Sequence, residues 1–448
     1  MHVAFLTPIA ALGGAERSLL DMLDELRRLC PDWTIGVIVG EDGPLVSQLQ
    51  QRQVRTCILP LPQAIRHLGE SYRLWSPTLS SRRYPRFGPR WWEAAWSLPS
   101  YVCRLRRLLL RWRPAIVHSH ALKFHLLSGW VAPAGARIVW HLRDFLSPRP
   151  YLSRWLPRIA RRPHLMFANS QAVAEDAQRL FPRTAIHTLY NGIDTGYFSP
   201  HGPTFNWDNV VRARAGADHC PPVRIGLVAT YARWKGHELF LQAATQLLRE
   251  SLPPVQFYIV GGPIYHTFGS QFSPEELQLL IGQLGLNGYC HLIPFQQDIA
   301  AVYRGLDIVV HASTRPEPFG RTIVEAMACG RTVIVSAAGG ADELCTDGVD
   351  ALKFPPGDLS RLVQALRRAI FDPHLRNRMG QNARTTACAR FDRHRMGQNL
   401  LACYQLLLRP DLRRGPSSLL STIESPGICP THLFRQTPPE SLPPAHRR

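Results

Sequence analysis

Along most of the chain, short apolar runs alternate with longer stretches in which apolar residues recur every three or four positions. That alternation is the pattern of strands joined by helices, and it predicts α/β units around parallel sheets. In the first half it places strands at 2–6, 34–39, 115–118, 137–141 and 164–168, with helices that include 16–28 and 170–180. In the second half it places strands at 223–229, 255–260, 290–293, 307–310 and 332–336, and helices at 237–250, 274–284, 321–329 and 358–371.

Residues 199–222, between the halves, are rich in Pro, Gly and polar groups and read as a linker. Residues 409–448 hold eight Pro in forty positions without periodicity, so this tail is expected to be disordered. The 448 residues suffice for two or three domains. The reading is two Rossmann-like domains, 1–198 and 223–385, facing each other across a cleft, with 386–408 as a further helical segment. Open α/β sheets bind ligands beyond the C-terminal ends of their strands, so two opposed edges make one shared site.

Charge changes the picture through its placement. Lys and Arg number 52 against 33 acids, a formal +19, which spread evenly would suggest nucleic acid or an anionic membrane. Residues 71–113 hold ten Arg and one acid, 137–162 hold seven Arg against Asp144, and 223–408 is nearly balanced at 18 basic to 15 acidic. A uniformly basic nucleic-acid binder does not fit that distribution, and no nucleic-acid partner is expected. Within the first cluster, Tyr101, Leu105, Leu108, Leu109 and Trp112 share one helical face flanked by Arg104, Arg106, Arg107, Arg111 and Arg113. Upstream, Arg82, Arg83, Arg86 and Arg90 surround Trp91, Trp92 and Trp96. Cations and aromatics together suit an anionic bilayer surface, so 71–113 is the expected membrane contact. For 101–113 itself, a sheet-covering helix is the competing reading.

The opening MHVAFLTPIA runs straight into a strand pattern, without the charged segment, apolar core and cleavage site of a leader. No run reaches 18 consecutive apolar residues, so no spanning helix is expected. Ten Cys lie singly between Cys30 and Cys429, which argues for reduced thiols in a cytoplasmic chain and against a disulfide framework or zinc site.

The densest chemical signal is 307–343. A strand is followed by a loop with Glu317, then Pro318-Phe319-Gly320 opens a helix that carries Glu325, and Gly339-Gly340 with Glu343 comes after the next strand. The N–H groups around Phe319, Gly320 and Arg321 lack intrahelical partners and can hold a diphosphate, aided by the helix dipole. Glu325 can accept both hydroxyls of a ribose, and Glu317 can reach sugar hydroxyls. Taken singly, each acid reads better as a solvated surface carboxylate.

They are not single. Glu317 and Glu325 stand eight apart within PEPFGRTIVEAMACG, which closely resembles the E-x7-E signature of retaining glycosyltransferase family 4, of GT-B fold. Gly13-Gly14-Ala15-Glu16-Arg17, His118-Ser119-His120, Asn191-Gly192-Ile193-Asp194, Lys235-Gly236-His237, Gly261-Gly262 and Gly339-Gly340 resemble further family segments in the family's order. The resemblance covers roughly residues 1–408.

The resemblance implies a retaining hexosyl transfer from a nucleotide-diphosphate sugar to a lipid-linked, polysaccharide or other glycan acceptor. Residues 1–198 would take the acceptor, 223–385 the donor, and 386–408 would pack back on the first domain. Glu317, Lys235 and His120 would be catalytic, with His118 and His141 as competitors for the histidine's role. Glu325, Phe319, Gly320, Arg321, Arg233, Gly261 and Gly262 would bind the donor, and Gly13, Gly14, Glu16 and Arg17 would form an acceptor or phosphate loop. The family pairs its Lys with an Arg five residues earlier; position 230 here is Thr, and Arg233 is the candidate replacement. No D-x-D occurs, and Lys235 with backbone N–H groups can take a metal's place on the diphosphate, so neither metal nor cofactor is expected. The expected location is the cytoplasm, peripheral on the inner membrane face. A GT-B epimerase or phosphorylase, or a non-catalytic GT-B scaffold, stays open beside the transferase.

Overall fold

The computed structural model describes residues 1–63, 90–148, 156, 163–207, 221–263 and 269–409, with backbone alone for 90–95. The expectations for Arg82, Arg83 and Arg86, for the side chains of Arg90, Trp91 and Trp92, and for the tail after Arg409 fall outside the described residues.

Among the described residues the strands form two all-parallel sheets. The first has seven strands, β1 (His2–Thr7), β2 (Thr34–Val39), β3 (Arg55–Ile58), β4 (Ile116–Ser119), β5 (Arg137–Leu142), β6 (Leu165–Ala168) and β7 (Ile186–Thr188), in the order β3-β2-β1-β4-β5-β6-β7. The second has six, β8 (Val223–Val228), β9 (Val255–Gly261), β10 (Cys290–Pro294), β11 (Ile308–His311), β12 (Thr332–Ser336) and β13 (Leu352–Phe354), in the order β10-β9-β8-β11-β12-β13. Each sheet reverses its strand order once, between β1 and β4 and between β8 and β11, which opens the crevice typical of doubly wound sheets at the C-terminal strand ends. Helices cover both faces, so central strands read as near-continuous apolar runs.

Helices α1 (Gly14–Leu29), α2 (Pro44–Gln51), α3 (Arg90–Trp112), α4 (Leu122–Val131) and α5 (Gln171–Leu180) surround the first sheet. On α3, Tyr101, Leu105, Leu109 and Trp112 are buried against Ala4, Leu6, Ile38 and Val117. The apolar face of this helix therefore covers the sheet, and Arg104, Arg106, Arg107 and Arg111 are left on the outside.

Around the second sheet lie α6 (His237–Leu247), α7 (Pro274–Gln283), α8 (Ile299–Gly305), α9 (Arg321–Ala328), the short α10 (Gly340–Glu343), α11 (Leu359–Phe371) and α12 (Pro373–Phe391). The end of the expected first domain, Tyr197 and Phe198, and the start of the expected linker are packed onto this domain. Phe198 and Trp207 join its core, Trp207 lies 4.2 Å from Tyr258 between ring centres, and Arg304 donates to the carbonyls of Tyr197, Ser199 and Pro203 at 2.7, 2.9 and 3.0 Å.

The helix expected over 386–408 is two helices. Ala387 and Phe391, on α12, belong to the second core, and the return begins at α13 (Arg393–Leu408), whose N-cap is Asp392. Met396, Leu400, Cys403, Tyr404 and Leu407 of α13 then pack with Leu19, Leu23 and Leu26 of α1 in the first core. The two strands of chain that link the domains run side by side: Ile193 N–H donates to Phe391 O and Arg393 N–H to Ile193 O, each at 2.9 Å.

Candidate functional site

The C-terminal edges of the two sheets face each other, and the residues singled out from the sequence gather there. β8 ends in a loop with a single 3-10 turn, Arg233–Lys235, and β11 ends in the loop that carries Glu317. Lys235 Nζ donates to Glu317 Oε2 at 2.6 Å. Ser313 Oγ donates to the same oxygen at 3.0 Å, and His311 Nε2 lies 3.2 Å from it. Burial would push the Glu317 carboxyl up, but the charge of Lys235 and the bond from His311 hold it well below the usual carboxylate range. Glu317 is thus a buried, fully ionised carboxylate with a fixed cation beside it. Lys235 also lies 4.1 Å over the Trp234 ring, which limits the reach of its flexible stem.

Arg233 does not join this pair. Its guanidinium bonds Glu276 at 2.7 Å and stacks 4.2 Å from the Phe272 ring, so Lys235 is the cation of the cluster. Gly261 closes β9, and a Cβ on Gly262 would meet no atom of the described residues within 4 Å.

Phe319, 3% exposed, anchors the turn into α9 in the second core. Gly320 follows with φ +98°, a conformation that a side chain resists, and releases the chain into the helix. The N–H groups of Arg321 and Thr322 consequently open at the sheet edge without an intrahelical partner, while the N–H of Ile323 donates to Gly320 O at 3.0 Å. Inside the helix, Glu325 is 4% exposed. Its Oε1 accepts from Arg321 Nε at 2.7 Å and its Oε2 from the Tyr303 hydroxyl at 3.1 Å. An ionised carboxylate has about four acceptor positions, so both oxygens keep one for a further donor.

The Arg321 guanidinium also crosses to the first domain, where Nη1 bonds Asp21 on α1 at 2.8 Å. Two further links join the edges. Glu343 accepts from the N–H groups of Gln171 and Ala172 at the start of α5, at 2.8 and 2.6 Å, and from the Tyr190 hydroxyl at 2.9 Å. A Cβ on Gly340 would come within 2.8 Å of Ser170 and 2.2 Å of Pro318 O, so only glycine lets the domains approach this closely.

In the first domain, Gly13 precedes α1 and its N–H donates to Glu16 Oε2 at 3.1 Å, so Glu16 is turned onto its own helix end. Burial pushes the Glu16 carboxyl up. A Cβ on Gly14 would meet no atom of the described residues within 4 Å, and Arg17 reaches across to lie 5.8 Å over Phe295 of the second domain.

His118, His120 and His141 form a buried stack with ring centres 4.7 to 5.4 Å apart. Burial, and the charge of Arg143 beside them, hold all three well below the ordinary histidine range, so they are neutral. One nitrogen from each lies within 4.8 Å of the others. The rings are nevertheless inclined by only 19° to 36°, and lone pairs lie in the ring planes, so three stacked rings do not converge on one ion as a tetrahedral site needs. The trio does not fit a metal. His118 Nδ1 is taken by the hydroxyl of Tyr404, on the returning helix.

Sequence reasoning missed several members of this edge. His311 and Ser313 sit inside the segment already singled out, at the close of a strand, and were readable. Asn191 stood out only as part of a segment that resembles the family, yet its Oδ1 accepts from Ser18 Oγ at 2.8 Å and Arg143 Nη1 at 3.0 Å. Arg143 was hidden in an arginine-rich stretch treated as bulk charge. Asp21 lies on the amphipathic α1 and Tyr303 on the short, mostly buried α8, and neither carries a local signal.

Residues 12–197 match the family described as Glycosyltransferase Family 4, and residues 221–386 match Glycosyl transferases group 1. D-inositol 3-phosphate glycosyltransferase 1 of Catenulispora acidiphila is 30% identical over 282 residues, 58% of this chain, and the chain spans 64% of that relative's length. The crystal structure of Anabaena Alr3699/HepE in complex with UDP is similar at a TM-score of 0.70 and 25% identity, covering 90% of this chain and 100% of that one. Its complex with UDP and glucose gives 0.71 and 25%, over 90% and 99% of the two chains. The opposed parallel-sheet domains are the GT-B architecture, and with both of its halves matched the chain belongs to glycosyltransferase family 4.

Proposed function

We propose that the chain transfers a sugar, with retention at the anomeric carbon, from a nucleoside-diphosphate sugar to a lipid-linked or polysaccharide glycan. The observation that carries this reading is the Lys235–Glu317 pair, held by Ser313 and His311 beside the open start of α9. Departure of the nucleotide leaves negative charge on the diphosphate. Lys235 and the first N–H groups of α9 meet that charge with donors already in place, in a site from which the apposed domains exclude water. Glu325 takes the ribose hydroxyls on its two remaining acceptor positions, and Glu317 orients the sugar. His120 faces the donor sugar from the first domain, and Gly13, Gly14, Glu16 and Arg17 serve the acceptor side.

A uridine diphosphate sugar is the first donor to test, because a similar structure at 25% identity was solved with UDP and glucose. With one cation and backbone donors on the leaving group, the reaction needs no metal. On α3 the outer face carries Arg104, Arg107, Leu110 and Arg111, with Trp96 80% exposed; Trp130, 59% exposed, stands on the neighbouring α4, and this surface meets an anionic bilayer where lipid-linked acceptors reside. No helix among the described residues is long and apolar enough to cross a membrane. The eight described cysteines are free, which fits a reducing compartment.

The test is a thermal-shift panel of UDP, GDP and ADP sugars on the intact chain and on Glu325→Ala. Ligand at a hundred times Kd stabilises by about 2.7 kcal/mol, which such a scan reads clearly. A shift with one nucleotide, lost in the variant, supports the reading and names the base. No shift with any sugar nucleotide sinks it in favour of a non-catalytic scaffold.

A further inference from the structure

Arg143 stands at the first residue after β5, and nothing in the reaction described so far uses it. Its Nε donates to His120 Nδ1 at 3.2 Å. Nη1 donates to Asn191 Oδ1 at 3.0 Å, and Nη2 lies 3.5 Å from Met22 Sδ. Asn191 is itself fixed by the Ser18 hydroxyl at 2.8 Å. Among the described residues no carboxylate lies in hydrogen-bond contact with Arg143; the charges of Glu16 and Asp21 act on it from further off, and the groups it bonds directly are neutral.

We propose that Arg143, anchored by Asn191 and Ser18, is a positioning residue that fixes the tautomer of His120, so that this histidine offers an Nε2–H donor to a hydroxyl oxygen of the donor sugar. The inference rests on the transferase reading for the sugar, and on the hydrogen-bond geometry for the tautomer.

A guanidinium has no acceptor, so the bond to Nδ1 requires a lone pair there. The proton of a neutral His120 must then sit on Nε2. Burial and the nearby charge of Arg143 keep the ring neutral, which closes the other protonation state. His120 Nε2 is buried and has no partner among the described residues. Its neighbours do not take the proton: His118 lies face to face with it at 4.7 Å and 19°, and His141 at 5.3 Å and 36°, contacts between ring faces and not between N–H and lone pair. A buried donor left unmade is costly, and a site at a sheet edge that keeps one is set up for a ligand acceptor. With Nδ1 occupied and Nε2 protonated, His120 has no lone pair to give. It acts as a hydrogen-bond donor and does not deprotonate the acceptor.

Nitrogen-15 NMR of histidine-labelled full-length protein reads the tautomer directly, with His120 assigned by its loss in His120→Gln. The expected result is an Nε2-protonated, Nδ1-accepting ring that does not titrate near neutral pH, with the Nδ1-protonated form appearing in Arg143→Met. A tautomer unchanged in Arg143→Met overturns the proposal. Should that variant fail to fold, Asn191→Ala loosens the same anchor and is read in the same way. Turnover with UDP-glucose adds the second arm. His120→Gln, which keeps an N–H, should retain at least tenfold more kcat/KM than His120→Ala, and Arg143→Met should cost little more in the His120→Gln background. Losses that multiply fully across the two sites would mean a merely structural role for Arg143 and overturn the proposal. If the tautomer responds as expected and neither UDP-glucose nor the GDP and ADP sugars perturb His120, the sugar as partner is overturned along with the transferase reading, while the control by Arg143 stands.

Discussion

Arg321 and Asp21, 300 positions apart, form a 2.8 Å ion pair that ties the two domains together, and the same guanidinium holds Glu325 at 2.7 Å. Burial pushes the Asp21 carboxyl up, and Arg321 opposes that push. Arg321→Met strands two buried carboxylates and is expected to destabilise the protein by about 3–5 kcal/mol. Asp21→Asn leaves Arg321 paired with Glu325 and should cost clearly less. Urea titration of both variants checks this, and equal losses would contradict the shared-guanidinium account.

Lys235 is the main reason Glu317 stays ionised. The folded carboxyl lies below its unfolded value, so Glu317 stabilises the fold fully above the ordinary carboxylate range, and that contribution is lost as pH falls toward the folded value. Lys235→Met should therefore move acid unfolding, followed by circular dichroism, to higher pH. It should also lower kcat by roughly 10²-fold or more, the usual scale for losing one preorganised electrostatic partner. An unchanged acid limb would remove Lys235 from this role.

Glu343 closes the start of a helix in the other domain. Glu343→Ala removes the acceptor of two backbone N–H groups and one hydroxyl, with an expected cost of about 1–2 kcal/mol. Hydrogen exchange should accelerate at the amides of Gln171 and Ala172. Tyr190→Phe, which spares both backbone bonds, should leave those amides protected.

His237 sits between Tyr231 and Phe272 with ring centres 5.7 and 5.8 Å away. Burial, with the charge of Lys235, lowers it to about 3. Below its ordinary value the unfolded chain takes up the proton first, so stability falls with pH from about 6.5 down to about 3 at up to about 1.4 kcal/mol per unit. His237→Phe should flatten that slope by about one proton, measured from urea unfolding across the window.

Chelation tests the cation account of the leaving group. Treatment with EDTA should leave turnover unchanged, and a loss restored by a divalent ion would mean that Lys235 and the α9 N–H groups do not suffice.

Legibility from sequence followed burial. The central strands were readable to within a residue or so, because burial on both faces makes them continuous apolar runs, as in His2–Thr7 and Thr332–Ser336. The edge strands Arg55–Ile58, Ile186–Thr188 and Leu352–Phe354 are three or four residues long with mixed polarity, and nothing marks them. Glu317, Glu325 and Lys235 were findable because loop and helix chemistry is local. Asp21 and Arg143 were not, since their meaning lies in partners more than twenty positions away. The break at Asp392 escaped notice because α12 and α13 are separated by a single residue.

The return of α13 to the first domain also dictates an order of birth. The first sheet is synthesised early, yet α1 lacks its packing partner until α13 leaves the ribosome at the far end of the described chain. The apolar side of α1 that receives Met396, Leu400 and Tyr404 must wait, exposed or chaperoned, while the whole second domain is made and folds. A chain stopped after Phe391 would hold a complete second domain and an unfinished first one. The domain begun first is the last to be completed.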